Sequence, residues 1–385
     1  MNGIDLTSAK DAGPSISARA LGLRIKAARE SRGMTQDSLT SDLGFADRQT
    51  LSAIEQGDRK VKPKELLRIA EVLDYDIEHF LDPFVVAGEA AFSWRANERV
   101  PAKTLDAFEE RAGRLIGMLR FLRRCQPGSA PPFSLALRLT ILSTYEEALA
   151  SGEAVAQNLE LGSPPAERLI DRIESALDIA VLYIDPSPSA EGEAGISGAT
   201  CHLPDLGVIL INRNESPARR HFDAAHELFH AMTWNAMRPE RLDVSAQAAR
   251  GKAKRIEQLA DNFASGLLMP TVSLDKLIDA RAFGDVAHLV EVADRLQVSP
   301  AALAWRLFNA KRIDETVRLR LCQAKSGLID SPKPKRYSDS FVAQVHAGIE
   351  HGHVSARKVA KALGLTLPKL AELFEEHSKP LPFAM

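Results

Sequence analysis

Apolar residues recur along most of this chain at helical spacing, interrupted by two short runs that read as strands. Phe222, Ala225, Phe229 and Met232 share one helical face, and Ser216-Pro217 before them suit an N-cap and a first helical position. A second helical pattern runs from Glu257 through Asp261, Phe263 and Ala264 and ends near Leu267 to Pro270. Leu105 to Arg124, Ser134 to Ser151 and Leu169 to Leu177 predict further helices, and Ile179 to Ile184 predicts a strand. Val208 to Ile211 is continuously apolar and follows a turn at Pro204 to Gly207, so it reads as a strand leaving a hairpin. It is either an edge strand able to bind an extended peptide by strand addition or a plain core strand. The fold class expected is mainly α with a small β-sheet, an α+β arrangement.

The N-terminal stretch has its own punctuation. Leu21 to Arg29 mixes apolar and basic residues at helical spacing; Thr35 can cap a short helix, and Gly44 sits where a tight turn needs a permissive residue. Asp47 to Gln56 is the next helix, stopped by Gly57, and Leu66 to Leu73 follows. Pro- and Gly-rich breaks at Pro83, Gln126 to Pro132, Gly162 to Pro165 and Ser331 to Arg336 divide the remainder. Four regions are expected: an all-α head over 18–84, a helical connector over 85–164 that opens near Phe92 to Arg95, an α+β domain over 165–325, and a linker with a small helical C-terminal region over 326–385. In the last, two short helices flank Gly364, a shape that serves DNA or protein contacts alike, and Pro380 to Phe383 are expected to pack back on it.

Composition narrows the class. With 385 residues there is room for two or three domains with ample cores, and a net charge of −2 describes no polyelectrolyte. The three cysteines, Cys125, Cys201 and Cys322, are far apart, which argues against a disulfide frame or a cysteine zinc site and fits a reducing compartment. Met1 to Ser17 lacks the apolar centre of a signal peptide, and no stretch approaches a membrane span. A soluble, cytoplasmic protein with no membrane partner is expected.

The candidate chemistry lies on the Ser216 helix. His226-Glu227-Leu228-Phe229-His230 places two imidazoles one turn apart on a single face, where both can bind one metal ion. Glu227 then stands beside the site as general base for an attacking water. A tetrahedral site needs a third protein ligand, and Glu257 on the next helix is the candidate. Asp261, one turn further on the same face, can orient a ligating histidine by accepting its other ring N–H. Zn²⁺ is the expected cofactor, and Mn²⁺ also suits such N/O ligands. His202, Arg220 and His221 are open alternatives for an oxyanion donor.

Val208 to Asn212, Arg220 to His230, Glu257 to Ala264 with Leu267 to Pro270, and Gln297 to Ser299 leading to Arg306-Leu307 together resemble the ImmA/IrrE family of zinc metallopeptidases, over about Pro165 to Ile313. The resemblance implies a zincin-like domain with His226, His230 and Glu257 as zinc ligands and Glu227 as base, cutting a partner protein that is often a DNA-binding repressor. One departure is Phe229, where family members often have glycine before the second histidine; a ring there is packing or narrows the cleft.

Leu21 to Leu73 resembles the Xre/Cro-type repressor helix-turn-helix, which implies a double-stranded DNA operator as partner and the Asp47 helix in the major groove. Gln49, Thr50 and Ser52 would then face base edges, and Gln36, Arg59 and Lys60 would touch phosphates. This stretch has ten Lys and Arg against eight Asp and Glu, a net of +2, a modest footprint that makes affinity depend on dimer formation. The combined expectation is a homodimeric transcriptional regulator fused to a zinc endopeptidase that cleaves a partner regulator or itself on a signal. The alternatives are a non-catalytic regulator using the zinc fold as a sensor, and an antitoxin-like repressor whose tail binds a partner protein.

Overall fold

Side-chain caps set the helix starts of the head. Ser17 Oγ, Thr35 Oγ1 and Asp47 Oδ1 accept from the backbone N–H groups of Ala20, Ser38 and Thr50 at 3.1, 3.1 and 2.7 Å. They open α1 (Ala18–Ser31), α2 (Gln36–Leu43) and α3 (Arg48–Gln56), which α4 (Pro63–Leu73) and α5 (Ile77–Leu81) follow. Gly44 and Gly57 end α2 and α3 at φ 69° and 80°, the left-handed region an L side chain avoids. The computed structural model describes residues 16–96, 100–125, 137–185, 195–243, 251–279, 281–327 and 332–384. The expected loop over Asp185 to Gly195 and the break at Gln126 to Pro132 fall largely outside them.

The other elements are β1 (Ala91–Ala96), α6 (Ala102–Cys125), α7 (Tyr145–Asn158), α8 (Ala166–Leu177), β2 (Ala180–Ile184), β3 (Ile196–Leu203), β4 (Leu206–Asn212), α9 (Pro217–Thr233), β5 (Leu242–Asp243) and α10 (Gly251–Leu268). After these come α11 (Thr271–Leu277), α12 (Val286–Leu296), α13 (Pro300–Asn309), α14 (Glu315–Gln323), α15 (Asp339–Glu350), α16 (Ala356–Leu363) and α17 (Leu367–Glu376). The architecture is mainly helical with one small mixed sheet, an α+β fold.

Two compact units emerge, and they divide the chain differently from the four regions expected. One contains 1–91, 106–130 and 339–385; the other contains 92–105 and 131–338. The region read as a connector is therefore shared out. Phe92 to Arg95 forms most of β1, with Trp94 fully buried and its N–H donated to Arg241 O at 2.8 Å, and α6 covers the helix read over Leu105 to Arg124. The helix read from Ser134 starts only at Tyr145, where Thr144 and Glu147 form a capping box, and 137–144 is non-helical. α7 then lies so close to α10 that a Cβ on Gly152 would meet Phe263 O at 2.1 Å, and one on Gly266 would meet Leu149 O at 2.1 Å.

In the second unit the strand order is β2-β4-β3-β1-β5. β2 runs parallel to β4, β3 antiparallel to β4, and β1 parallel to β5. β4 is thus paired on both sides, and Val208 to Ile211 are fully buried. The strand-addition reading of Val208 to Ile211 is corrected, because its backbone groups are already spent on β2 and β3. One core gathers Leu169, Ile209, Leu228, Phe263, Leu267 and Leu303 from the helices and the sheet.

In the first unit, Ile25, Leu51, Ile54, Ile69 and Phe80 form the core of the head. The C-terminal helices repeat the α2–α3 shape: α16 ends at Gly364 with φ 65°, and α17 follows. Lys358 on α16 reaches Asp82 at 3.2 Å and sits over the Phe84 ring. Pro380 to Phe383 do pack back, with Pro380 O on His346 Nε2 at 2.8 Å and Phe383 edge-on to Phe374. Among the described residues no helix is long and apolar enough to cross a membrane.

Candidate metal centre and nucleic-acid face

Ser216 caps α9 and Pro217 takes its first position, so the helix starts in the register the sequence predicts. That register turns His226 and His230 to the same face, 1% and 0% exposed. Their Nε2 atoms lie 3.0 Å apart. Glu257, on α10 and 5% exposed, brings Oε2 to 3.1 Å from His226 Nε2 and Oε1 to 3.5 Å from His230 Nε2. Adjacent donors around a tetrahedral Zn²⁺ with bonds of about 2.0–2.1 Å stand about 3.3 Å apart. The three donors therefore fit such an ion.

Asp261 Oδ1 accepts from His226 Nδ1 at 2.9 Å, the contact by which a carboxylate orients a metal-binding imidazole. Glu227 is 1% exposed, and its Oε2 accepts from the Thr200 hydroxyl at 2.7 Å. Thr200 lies on β3, whose Gly198 packs closely: a Cβ there would meet Leu210 O at 3.0 Å and come into ordinary contact with Glu227 Cγ at 3.5 Å. Phe229 is fully buried and packs on Phe263 at a centroid distance of 5.6 Å. It belongs to the core, so the departure from glycine serves packing.

The three candidates for an oxyanion donor separate. The Arg220 guanidinium bonds to the carbonyls of Arg213 and Glu215, at the mouth of its own helix. His221 Nδ1 faces Gln297 O at 3.3 Å, and burial holds its ring below the usual imidazole range. Both are committed elsewhere. His202 stacks on Trp234 with ring centroids 5.2 Å apart, and burial, helped by Arg238, lowers its pKa also.

Sequence reasoning missed a group on β1. Arg95 contacts the fully buried Asp223 at 3.2 Å and Asp261 at 3.6 Å. A strand about 130 positions before the first histidine carries no periodic or motif signal for that contact; only its pairing in the sheet brings Arg95 there.

In the head, α3 exposes Gln49, while Thr50 and Ser52 are half-buried. Gln36 is half-buried and paired within the head: its amide donates to Glu55 Oε2 at 2.7 Å, and its oxygen accepts from Arg48 Nε at 2.9 Å. Glu55 in turn holds the buried Arg29, locking α3 on α1. Arg59 forms a two-pronged pair with Glu65 at 3.0 and 2.7 Å, so a phosphate must compete for it, whereas Lys60 is exposed.

Residues 25–80 match the family described as helix-turn-helix, and residues 175–308 match the Peptidase_M78 family, described as the IrrE N-terminal-like domain. The chain thus joins a DNA-binding helix-turn-helix to an IrrE-like, metallopeptidase-type domain. A comparison with curated proteins finds no match. Among solved structures, the apo form of the competence regulator ComR from Streptococcus vestibularis matches at 11% identity, covering 79% of this chain and 89% of that one, with a TM-score of 0.16. The apo form of ComR from S. thermophilus matches at 17% identity, covering 94% and 97%, with a TM-score of 0.17.

Proposed function

We propose that this chain, a helix-turn-helix region joined to an IrrE-like peptidase domain, is a transcriptional regulator that cleaves a specific protein at a zinc site. The substrate is a partner repressor or a second copy of the chain. The convergence of His226, His230 and Glu257 carries this reading, with the buried Glu227 following His226 on the same helix. A zinc ion bound there supplies Lewis acidity, which makes water acidic near neutral pH and polarises a peptide carbonyl. Mn²⁺ suits the same donors.

The chain's own side chains supply the rest. Glu227 takes the proton of the attacking water on its carboxylate and hands it to the leaving amine. Thr200 holds that carboxylate by its Oε2, so its orientation is set before substrate arrives. Asp261 keeps the His226 proton on Nδ1. At the other end, α3 lies in the major groove with Gln49, Thr50 and Ser52 toward base edges, while Lys60 and, after release from their present partners, Arg59 and Gln36 contact phosphates. Two copies on a palindromic operator offset the modest charge of one head.

Glu227→Gln is the direct test. It should retain zinc and lose cleavage by about 10²–10⁴-fold, and proteins that co-purify with it identify the substrate by mass spectrometry. Undiminished cleavage would remove Glu227 from its role. His226→Ala should lose the metal, and an unchanged zinc content counts against the site. The near-complete burial of all three ligands supports a second reading, a non-catalytic regulator in which zinc is sensed rather than used. Normal promoter control by Glu227→Gln in cells favours that reading.

A further inference from the structure

The geometry points to Arg95 as a positioning residue of the metal centre, acting through Asp261 on His226. The inference rests on the zinc reading above. Each ligand helix carries an acid one turn from its ligand: Asp223 precedes His226 on α9, and Asp261 follows Glu257 on α10. Arg95 spans both, 3.2 Å from Asp223 Oδ1 and 3.6 Å from Asp261 Oδ1. Asp223 is fully buried and is also held by Arg219 at 3.1 Å, so that end of the bridge is anchored. The Asp261 side chain is 37% exposed, and Arg95 and the His226 ring both lie within ion-pair distance of its Oδ1.

The strand that carries Arg95 is placed firmly. β1 is paired between β3 and β5, Ser93 Oγ donates to Glu240 O at 2.7 Å, and the Arg95 carbonyl accepts from Ser197 Oγ at 3.3 Å. Phe222, one turn before His226, lies against the guanidinium at 5.6 Å. The delocalised cation lies within ion-pair distance of carboxylates on two helices, a placement that a compact ammonium reproduces only in part. β1 thereby joins the sheet to the spacing of α9 and α10, on which the three donors depend.

Electrostatics and positioning predict opposite signs, which makes the idea testable. Removing a cation near a Zn²⁺ site would by Coulomb's law tighten zinc binding. Loss of a group that orients a ligand weakens it, by about 10–100-fold for partners of this kind. Zinc affinity is measured by competition with a chromophoric chelator on the full chain, for wild type, Arg95→Gln and Arg95→Lys. The Co²⁺-substituted absorption spectrum is recorded in parallel. Arg95→Gln should weaken zinc at least tenfold and shift the cobalt bands, with Arg95→Lys between it and wild type. In an Asp261→Asn background, Arg95→Gln should add little, because the path through Asp261 is already cut. If Arg95→Gln disturbs folding by stranding Asp223, Arg95→Gln/Asp223→Asn removes the buried charge and should show the same weakening. Unchanged or tighter zinc binding in a folded Arg95 variant overturns the role of Arg95 alone. Wild type that takes up no zinc overturns the metal-centre reading, and the role of Arg95 falls with it.

Discussion

Thr200 shows how one hydroxyl disciplines a reactive acid. Its Oγ1 lies 2.7 Å from Glu227 Oε2 and 3.0 Å from the Glu227 carbonyl, so the side chain is tied to its own backbone through a neighbouring strand. Thr200→Val keeps the shape and removes the donor; zinc content should be unchanged and peptide cleavage should fall about tenfold or more in kcat, read by steady-state kinetics on the identified substrate. His221 offers a pH signature. Burial lowers the pKa of its ring in the fold, whereas the unfolded chain protonates it near the ordinary value of about 6.5. Stability should therefore decline as pH falls below about 6.5 and level once the folded ring titrates too, the slope from this one group never exceeding about 1.4 kcal/mol per pH unit. Thermal melts of the metal-free protein across this range should show a shallower decline for His221→Gln than for wild type.

At the scale of elements, α10 carries Glu257 and Asp261, and its position is set by α7. Gly152 and Gly266 let the two backbones touch at their crossing, each glycine facing a carbonyl of the other helix. Gly266→Ala must push the helices apart. It should cost about 1–3 kcal/mol in chemical unfolding and lower zinc affinity, since the Glu257 carboxylate moves with its helix. A variant with wild-type stability and zinc affinity would show that the crossing is soft. The helix-turn-helix depends on the same device: a Cβ on Gly22 in α1 would fall 2.1 Å from Ile54 O in α3. Most of these helices were legible beforehand, since Thr35, Gly44, Gly57 and Ser216-Pro217 are local capping chemistry that acts within a few residues. β1 was not legible, because Phe92 to Arg95 is too short to show a period and is a strand only by virtue of its neighbours.

For the whole molecule, the C-terminal helices belong with the head rather than standing as a separate appendage. Gly348 on α15 lies against Leu122 of α6, a Cβ there meeting Leu122 Cδ2 at 2.3 Å, and Lys358 covers Phe84. Removing 339–385 uncovers that face, so the melting transition of the unit containing the head should move down while zinc uptake by the other unit is kept. Calorimetry with zinc analysis on the shortened chain reads both, and loss of zinc uptake would contradict this assignment.

The residue pattern alone determined what is local: helix starts and stops, the two imidazoles one turn apart, and the acid beside them, because the spacing of 3.6 residues per turn decides which side chains share a face. It also marked Glu257 and Asp261 as a pair on one face of the next helix. What tertiary structure alone decided is long-range. The pairing of β1 with β3 and β5 brought Arg95 to the ligand helices, and the interior place of β4 removed an edge for strand addition. Gln36 was likewise drawn inward by Glu55. Such outcomes depend on which distant backbone groups meet and on buried charges finding partners, and neither is written in the periodicity of any one segment.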